Sequence, residues 1–243
     1  MIILLSGEGP SDLGESKIAA AISQGEEIRF GPLSLLIDQI AEHALGYSPL
    51  QTWPQTYRYC CKQELVVRSK GRRSVALPGK KRSVETGFYF INAWMLGEVA
   101  NHLERAENDA VVAFLFRDAD GTASSPASEA QRKFDSMIAG FERSGFERAV
   151  PMLPQPKSEA WFLCMFKDQP YQHCAAFEAL PGNDGSPRSA KAALASALGI
   201  EATTEVLVSR LETNPADLPA LAEQMPSFAR FHERALEAFQ SLR

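Results

Sequence analysis

The sequence predicts an α/β protein: a parallel sheet flanked by helices, followed by a mainly helical C-terminal region. Three observations lead there. Apolar runs suited to buried strands, at 2–6, 109–116 and 146–153, alternate with segments of helical period. Two of those runs end in turns carrying a pair of acids, Glu8 and Asp12 after the first, Asp118 and Asp120 after the second. Beyond Lys167 the composition shifts to alanine- and leucine-rich helical segments.

With 243 residues, 45% of them hydrophobic and 23% charged, the chain has the composition of a globular protein with a substantial core. A formal net charge of −5 argues against indiscriminate coating of nucleic acid, though not against a local basic patch. The four cysteines, Cys60, Cys61, Cys164 and Cys174, form no CxxC pair and no regular framework. They read as reduced thiols in a cytoplasmic protein rather than as a zinc site. The opening apolar run is too short for a signal peptide or a membrane span, and no stretch reaches 18 apolar residues, so no membrane role is expected.

In chain order, 2–6 is a buried strand that runs into Gly7-Glu-Gly-Pro-Ser-Asp12, where two glycines around Glu8 permit a sharp turn and a close ligand. Residues 13–30 read as a loop that admits a helical turn. Leu33, Leu36, Ile37, Ile40, Ala41 and Ala44 keep helical period, with Gly46 as the stop. His43 on that helix reads as a surface histidine.

Between 47 and 84 the periodicity is lost. This stretch holds nine of the 25 basic residues, Arg58, Lys62, Arg68, Lys70, Arg72, Arg73, Lys80, Lys81 and Arg82, against one acid, Glu64. It is either a contact for a phosphate backbone or a solvated loop, with one short strand placed at 64–68. Residues 85–105 form a helix with Phe88, Ile91, Met95, Val99 and Leu103 on one stripe. After the central strand, 128–144 is a second amphipathic helix and 146–153 a further strand.

Prolines then hold 154–156 extended, Ser158 is a helix N-cap, and 159–166 is a short helix. Glu159 in its first turn either complements the helix dipole or adds a third acid to a shared site. Trp161 and Phe162 read as core anchors. Residues 181–187, rich in Pro and Gly, form a break, and helices follow near 188–198, 203–212 and 217–242.

The paired acids carry the chemistry. In parallel α/β sheets the C-terminal strand edge is where sites are built, and both pairs belong to it. Carboxylates aimed at one volume repel unless a hard cation such as Mg²⁺ lies among them. Either pair alone is also what a solvated turn would show.

Together Glu8-Gly-Pro-Ser-Asp12 and Asp118-Ala-Asp120 resemble the TOPRIM signature, a glutamate after the first strand and Asp-x-Asp after the third. That fold is shared by topoisomerases, primases and nucleases of the overcoming-lysogenization-defect type. Lys157-Ser-Glu-Ala-Trp161, Ser186-Pro-Arg188 and Pro226-Ser-Phe-Ala-Arg-Phe231 are similar to a compact bacterial TOPRIM-like family of unknown function, related to nucleases of phage-defence systems. The core motifs cover roughly 1–155 and the weaker ones reach into 156–243; the long basic insertion departs from the family and leaves the second core strand open.

The resemblance implies that Glu8, Asp118 and Asp120 hold one or two Mg²⁺ or Mn²⁺ ions, with Asp12 in support and Glu159 completing the site. It implies that Lys157 meets a phosphate, and that the substrate is DNA or RNA. Glu8 is a general base where it is not a ligand. Arg117 either contacts phosphate or pairs with an acid. Arg72, Arg73, Lys80, Lys81 and Arg82 are the expected backbone contacts.

Two other readings stand. Asp118-Ala-Asp-Gly-Thr122 also resembles the first motif of haloacid-dehalogenase phosphatases, with Asp118 as nucleophile and Asp120 as acid/base. That family needs a later lysine and a late acidic pair, and only Asn183-Asp184 offers itself. The other is a non-catalytic protein that binds nucleic acid or regulates a partner ATPase.

Overall fold

The computed structural model describes residues 1–70, 84–120 and 127–242. In chain order the strands are β1 (Ile2–Ser6), β2 (Gly14–Ser16), β3 (Ile22–Gln24), β4 (Ile28–Phe30), β5 (Tyr57–Cys60), β6 (Val111–Phe116) and β7 (Ala149–Met152). The helices are α1 (Pro32–Leu45), α2 (Pro49–Thr52), α3 (Lys62–Lys70), α4 (Val84–Glu107), α5 (Ala127–Ser144), α6 (Glu159–Phe166), α7 (Ala190–Leu198), α8 (Thr204–Thr213), α9 (Leu218–Gln224) and α10 (Pro226–Gln240).

Five strands form one sheet in the order β3-β5-β1-β6-β7. β5, β1, β6 and β7 are parallel, and β3 adds an antiparallel edge. Strand residues alternate between the faces. Ile3 and Leu5 of β1, with Val112, Phe114 and Phe116 of β6, pack against α1 and the C-terminal helices. Ile2 and Leu4, with Val111, Ala113 and Leu115, pack against α4 and α5. The predicted α/β fold, a sheet sandwiched by helices, is the fold observed.

The C-terminal helices share the first of those cores. Trp161 of α6 is fully buried, stacks on Phe231 with ring centroids 5.6 Å apart, and meets Phe228 edge-on at 5.1 Å. Phe239 of α10 lies 5.7 Å from Phe114 at the centre of the sheet. Trp161 is thus the core anchor the sequence suggests.

Several expectations are corrected. Residues 13–30 do contain a helical turn, a 3-10 turn at Gly25–Glu27, but also the short strands β2, β3 and β4 where a loop is expected. The second parallel strand is β5, and 64–68 lies in helix α3, where the Arg68 guanidinium pairs with Glu64 one turn back at 2.6 Å. The last helix is divided at Met225, because Pro226 starts α10 afresh at its first turn. Cys164 and Cys174 are joined by a disulfide, so only Cys60 and Cys61 are free thiols. Gly46 does end α1, in the left-handed conformation at φ +85° that favours glycine.

No helix among the described residues is long and apolar enough to cross a membrane.

Candidate functional site

The chain leaves β1 towards α1 on one face of the sheet and leaves β6 towards α5 on the other. The gap between these adjacent strands is a topological switch point, where α/β sheets build sites. Ser6 lies opposite Leu115, so the turns that follow emerge side by side. β1 delivers Glu8 and Asp12, β5 delivers Lys62, β6 delivers Asp118 and Asp120, and β7 delivers Lys157, Ser158 and Glu159. The two acid pairs predicted to share an edge do share it.

Hydrogen bonds stitch these turns together. The Asp118 backbone N–H donates to Glu8 Oε1 at 3.1 Å, and Glu8 Oε2 lies 4.0 Å from Lys62 Nζ. The N–H groups of Ala119 and Asp120 donate to the carbonyls of Pro154 and Pro156 at 3.1 and 3.0 Å, fixing the turn after β6 against the one after β7. Asp120 adopts the left-handed conformation at φ +47°, which aspartate tolerates better than most residues. The Tyr89 hydroxyl donates to the Asp118 carbonyl at 2.8 Å.

Ser158 joins two of the acids. Its backbone N–H donates to Asp118 Oδ1 at 3.1 Å and its hydroxyl donates to Asp12 Oδ1 at 2.5 Å. It sits at the N-cap position of α6, but its side chain makes no cap bond. Its role is to hold acids, which corrects the simple capping expectation. Asp12 is fixed from below as well: its carbonyl accepts the Leu33 N–H at 3.0 Å. A Cβ on Gly31 would fall 2.2 Å from that carbonyl oxygen, so the approach requires glycine there.

The carboxyls raise one another's pKa values. Burial pushes Asp118 well above the usual carboxylate range, and the charges of Asp12, Glu159 and Asp120 push it further, against Lys157. Burial also raises Asp120, with Glu8 and Asp184 adding to the rise and Lys157 and Lys133 opposing it. Glu159 is raised by burial and by Asp12, against its own backbone N–H and Lys157. These acids therefore occupy one electrostatic neighbourhood.

The cations are arranged differently from the sequence expectation. Lys157 Nζ donates to Asp184 Oδ1 at 2.9 Å and lies 3.8 Å from Asp120 Oδ1. Its pKa is raised: burial works against its charge, but the bond to Asp184 and the charges of Asp118, Asp184 and Asp120 outweigh that. Arg117 is fully buried, so its guanidinium is not presented to a phosphate, and it makes no ion pair with an acid among the described residues. Its Nη1 donates to the Phe116 carbonyl at 2.6 Å, its guanidinium lies over the Phe88 ring at 5.7 Å, and Nε and Nη2 have no hydrogen-bond partner among the described residues. Burial lowers its pKa, with Glu8 the main opposing charge. Arg72, Arg73, Lys80, Lys81 and Arg82 lie outside the described residues.

Lys133 and Tyr89 carry no sequence expectation as site residues, while Lys62 is expected only as part of the basic stretch and Asp184 only in the phosphatase reading. Lys133 is buried and donates to the Ala119 carbonyl at 2.6 Å, inside the Asp-x-Asp turn. Its signal is faint: Glu129 one turn earlier makes it look like an ordinary surface pair.

Among the described residues no three His, Cys, Asp or Glu side chains are drawn together tightly enough to hold a metal ion. The groups that meet here are carboxylates, the oxygen donors a hard divalent cation takes, and burial together with the charges of Asp12, Glu159 and Asp120 raises Asp118. Comparisons with protein-family models, curated proteins and solved structures returned no match to this chain.

Proposed function

We propose that the chain is a nuclease of TOPRIM type that hydrolyses phosphodiester bonds in DNA or RNA with bound Mg²⁺ or Mn²⁺. One observation carries the reading: acids from three neighbouring strand ends meet at the switch point, with Ser158 tying Asp12 to Asp118. Asp118, Asp12 and Glu159 are the residues to hold the cation, with Glu8 and Asp120 beside them. When bound, a cation there would polarise a phosphoryl oxygen and make a neighbouring water more acidic than bulk water.

The remaining chemistry belongs to the side chains. Glu8, fixed at one oxygen by the Asp118 N–H, has a second oxygen facing Lys62 and can take a proton from water. Lys157 supplies a compact positive charge for a phosphate oxygen, and Tyr89 and Lys133 hold the Asp-x-Asp turn in shape. A place in phage defence, or with a partner ATPase, follows from the resemblance alone.

A second reading has one contact in its favour. A haloacid-dehalogenase phosphatase needs a lysine and a late acid near its Asp-x-Asp, and Lys157 with Asp184 stands beside Asp120. A phosphoaspartyl adduct on Asp118, trapped with beryllium fluoride, would select that reading.

The deciding experiment titrates Mg²⁺ and Mn²⁺ calorimetrically into wild type, Asp118→Ala and Glu8→Ala, and assays the same samples on mixed DNA and RNA. The expected result is metal uptake and cleavage in wild type, uptake lost in Asp118→Ala and cleavage lost in both variants. Metal uptake without cleavage would move the assignment to the non-catalytic, partner-regulating reading. Wild type that takes up no divalent ion, even with nucleic acid present, would end the nuclease proposal.

A further inference from the structure

Asp184 comes from the Pro- and Gly-rich stretch at 181–187, 27 positions beyond Lys157, yet its Oδ1 lies 2.9 Å from Lys157 Nζ. The stretch is a built turn. The Ser186 N–H donates to the Asn183 carbonyl at 2.9 Å, and the Gly185 N–H donates to Asn183 Oδ1 at 3.0 Å. Downstream, Ser189 caps α7 by accepting the Ala192 N–H. Upstream, the Cys164–Cys174 disulfide ties the approach to α6, the helix that follows Lys157.

The Lys157 side chain is 18% exposed, whereas the Asp184 and Asp120 side chains are 50% and 57% exposed. The ammonium thus sits behind two carboxylates that are more open to solvent than it is. An anion arriving from solvent meets Lys157 already occupied.

We infer that the Asp184 carboxylate stands in for a substrate phosphate on Lys157, and that binding exchanges one anion for the other. The inference deepens the nuclease proposal and rests on it. A single carboxylate is a weaker partner for an ammonium than a phosphate group, so the exchange favours substrate while weak anions are kept off. Asp184 is then a built-in competitor: it lowers affinity for every anion at Lys157 by the same factor, so that only an anion binding strongly enough to displace it occupies the site.

The test is a double-mutant cycle on binding, with no metal present. A fluorescent single-stranded oligonucleotide, with or without a 5′-phosphate, is titrated in EDTA with wild type, Asp184→Asn, Lys157→Met and the double variant. Thermal melting confirms that each is folded. Asp184→Asn should tighten binding about fivefold, the scale of a partly exposed ion pair, and the gain should vanish in the Lys157→Met background. A gain for both probes assigns the exchanged anion as backbone phosphate, and a gain for the phosphorylated probe alone assigns a terminal phosphate. An equal gain in both backgrounds would reduce Asp184 to general charge repulsion. Unchanged, weakened or undetectable binding by Asp184→Asn would overturn the inference. Metal uptake and cleavage are read separately, so failure here is distinct from failure of the nuclease proposal.

Discussion

The Ser158 hydroxyl donates to Asp12 Oδ1 at 2.5 Å across 146 positions of chain, and the same residue's N–H holds Asp118. One serine therefore fixes the spacing between the acid that follows β1 and the acid that follows β6. Residues that orient metal ligands typically account for 10- to 100-fold in affinity. Ser158→Ala should keep the backbone bond to Asp118, leave Asp12 held only by the Ser11 hydroxyl on Oδ2 at 2.9 Å, and weaken Mg²⁺ binding by about tenfold with little loss of stability. Calorimetric titration beside a melting curve checks both halves. Unaltered Mg²⁺ affinity would mean that Asp12 is not a ligand.

The raised Asp118 makes a pH prediction with a definite sign. Below the ordinary carboxylate range Asp118 is protonated in both folded and unfolded chains and contributes nothing. As pH rises from that range towards its elevated folded value, the unfolded chain releases a proton that the folded chain retains. Folded stability is lost across that window and the full penalty persists above it. In EDTA, Asp118→Asn should therefore match wild type near pH 3 and be the more stable of the two at neutral pH. Urea unfolding across pH gives the difference. Added Mg²⁺ should stabilise wild type and leave the variant unmoved.

The long elements were legible because their periods are unbroken: the stripe on α4 and the six apolar residues of β6 each admit one reading. The short ones were not. β5 has four residues with Arg58 among them, and it is a strand because β1 and β3 pair with it on both sides. The run at 64–68 looks β-prone by composition, yet it joins a helix in which Glu64 and Arg68 pair. In the site, the acids could be read because each follows a strand, and parallel strands share an edge. The pairing of Asp184 with Lys157, the bond from Lys133 to the Ala119 carbonyl and the Cys164–Cys174 disulfide are tertiary contacts that sequence spacing does not reveal.

Trp161 links the site helix to the C-terminal helices. Its ring packs on Phe228 and Phe231, and its indole N–H donates to Ser227 Oγ at 2.8 Å. Trp161→Ala should cost about 3–5 kcal/mol, the usual range for deleting a large core aromatic. Trp161→Phe retains most of the packing but leaves the buried Ser227 hydroxyl without its donor, at about 1–2 kcal/mol. Urea midpoints give the order wild type, Phe, Ala. A negligible Ala effect would mean that α10 packs independently of α6.

The basic segment supplies the last prediction. Arg58 is committed to Glu107 at 2.8 Å, Arg68 to Glu64 at 2.6 Å, and Lys62 faces Glu8. Those three serve the fold or the acidic site, which leaves Lys70, exposed at the end of α3, with Arg72, Arg73, Lys80, Lys81 and Arg82 as the cations of 47–84 to test for a phosphate-backbone contact. In a chain of net charge −5, binding to a polyanion must rest on such a local group. Each phosphate neutralised on duplex DNA contributes about 0.9 to the slope of log affinity against log salt. Changing all six residues to Gln should therefore flatten that slope by about 3–5 and weaken binding most at low salt. Mg²⁺ affinity should stay as in wild type, because the carboxylates are untouched. An unchanged salt slope would remove this segment from the interface and leave Lys62 and Lys157, at the strand ends, as the cations that meet nucleic acid.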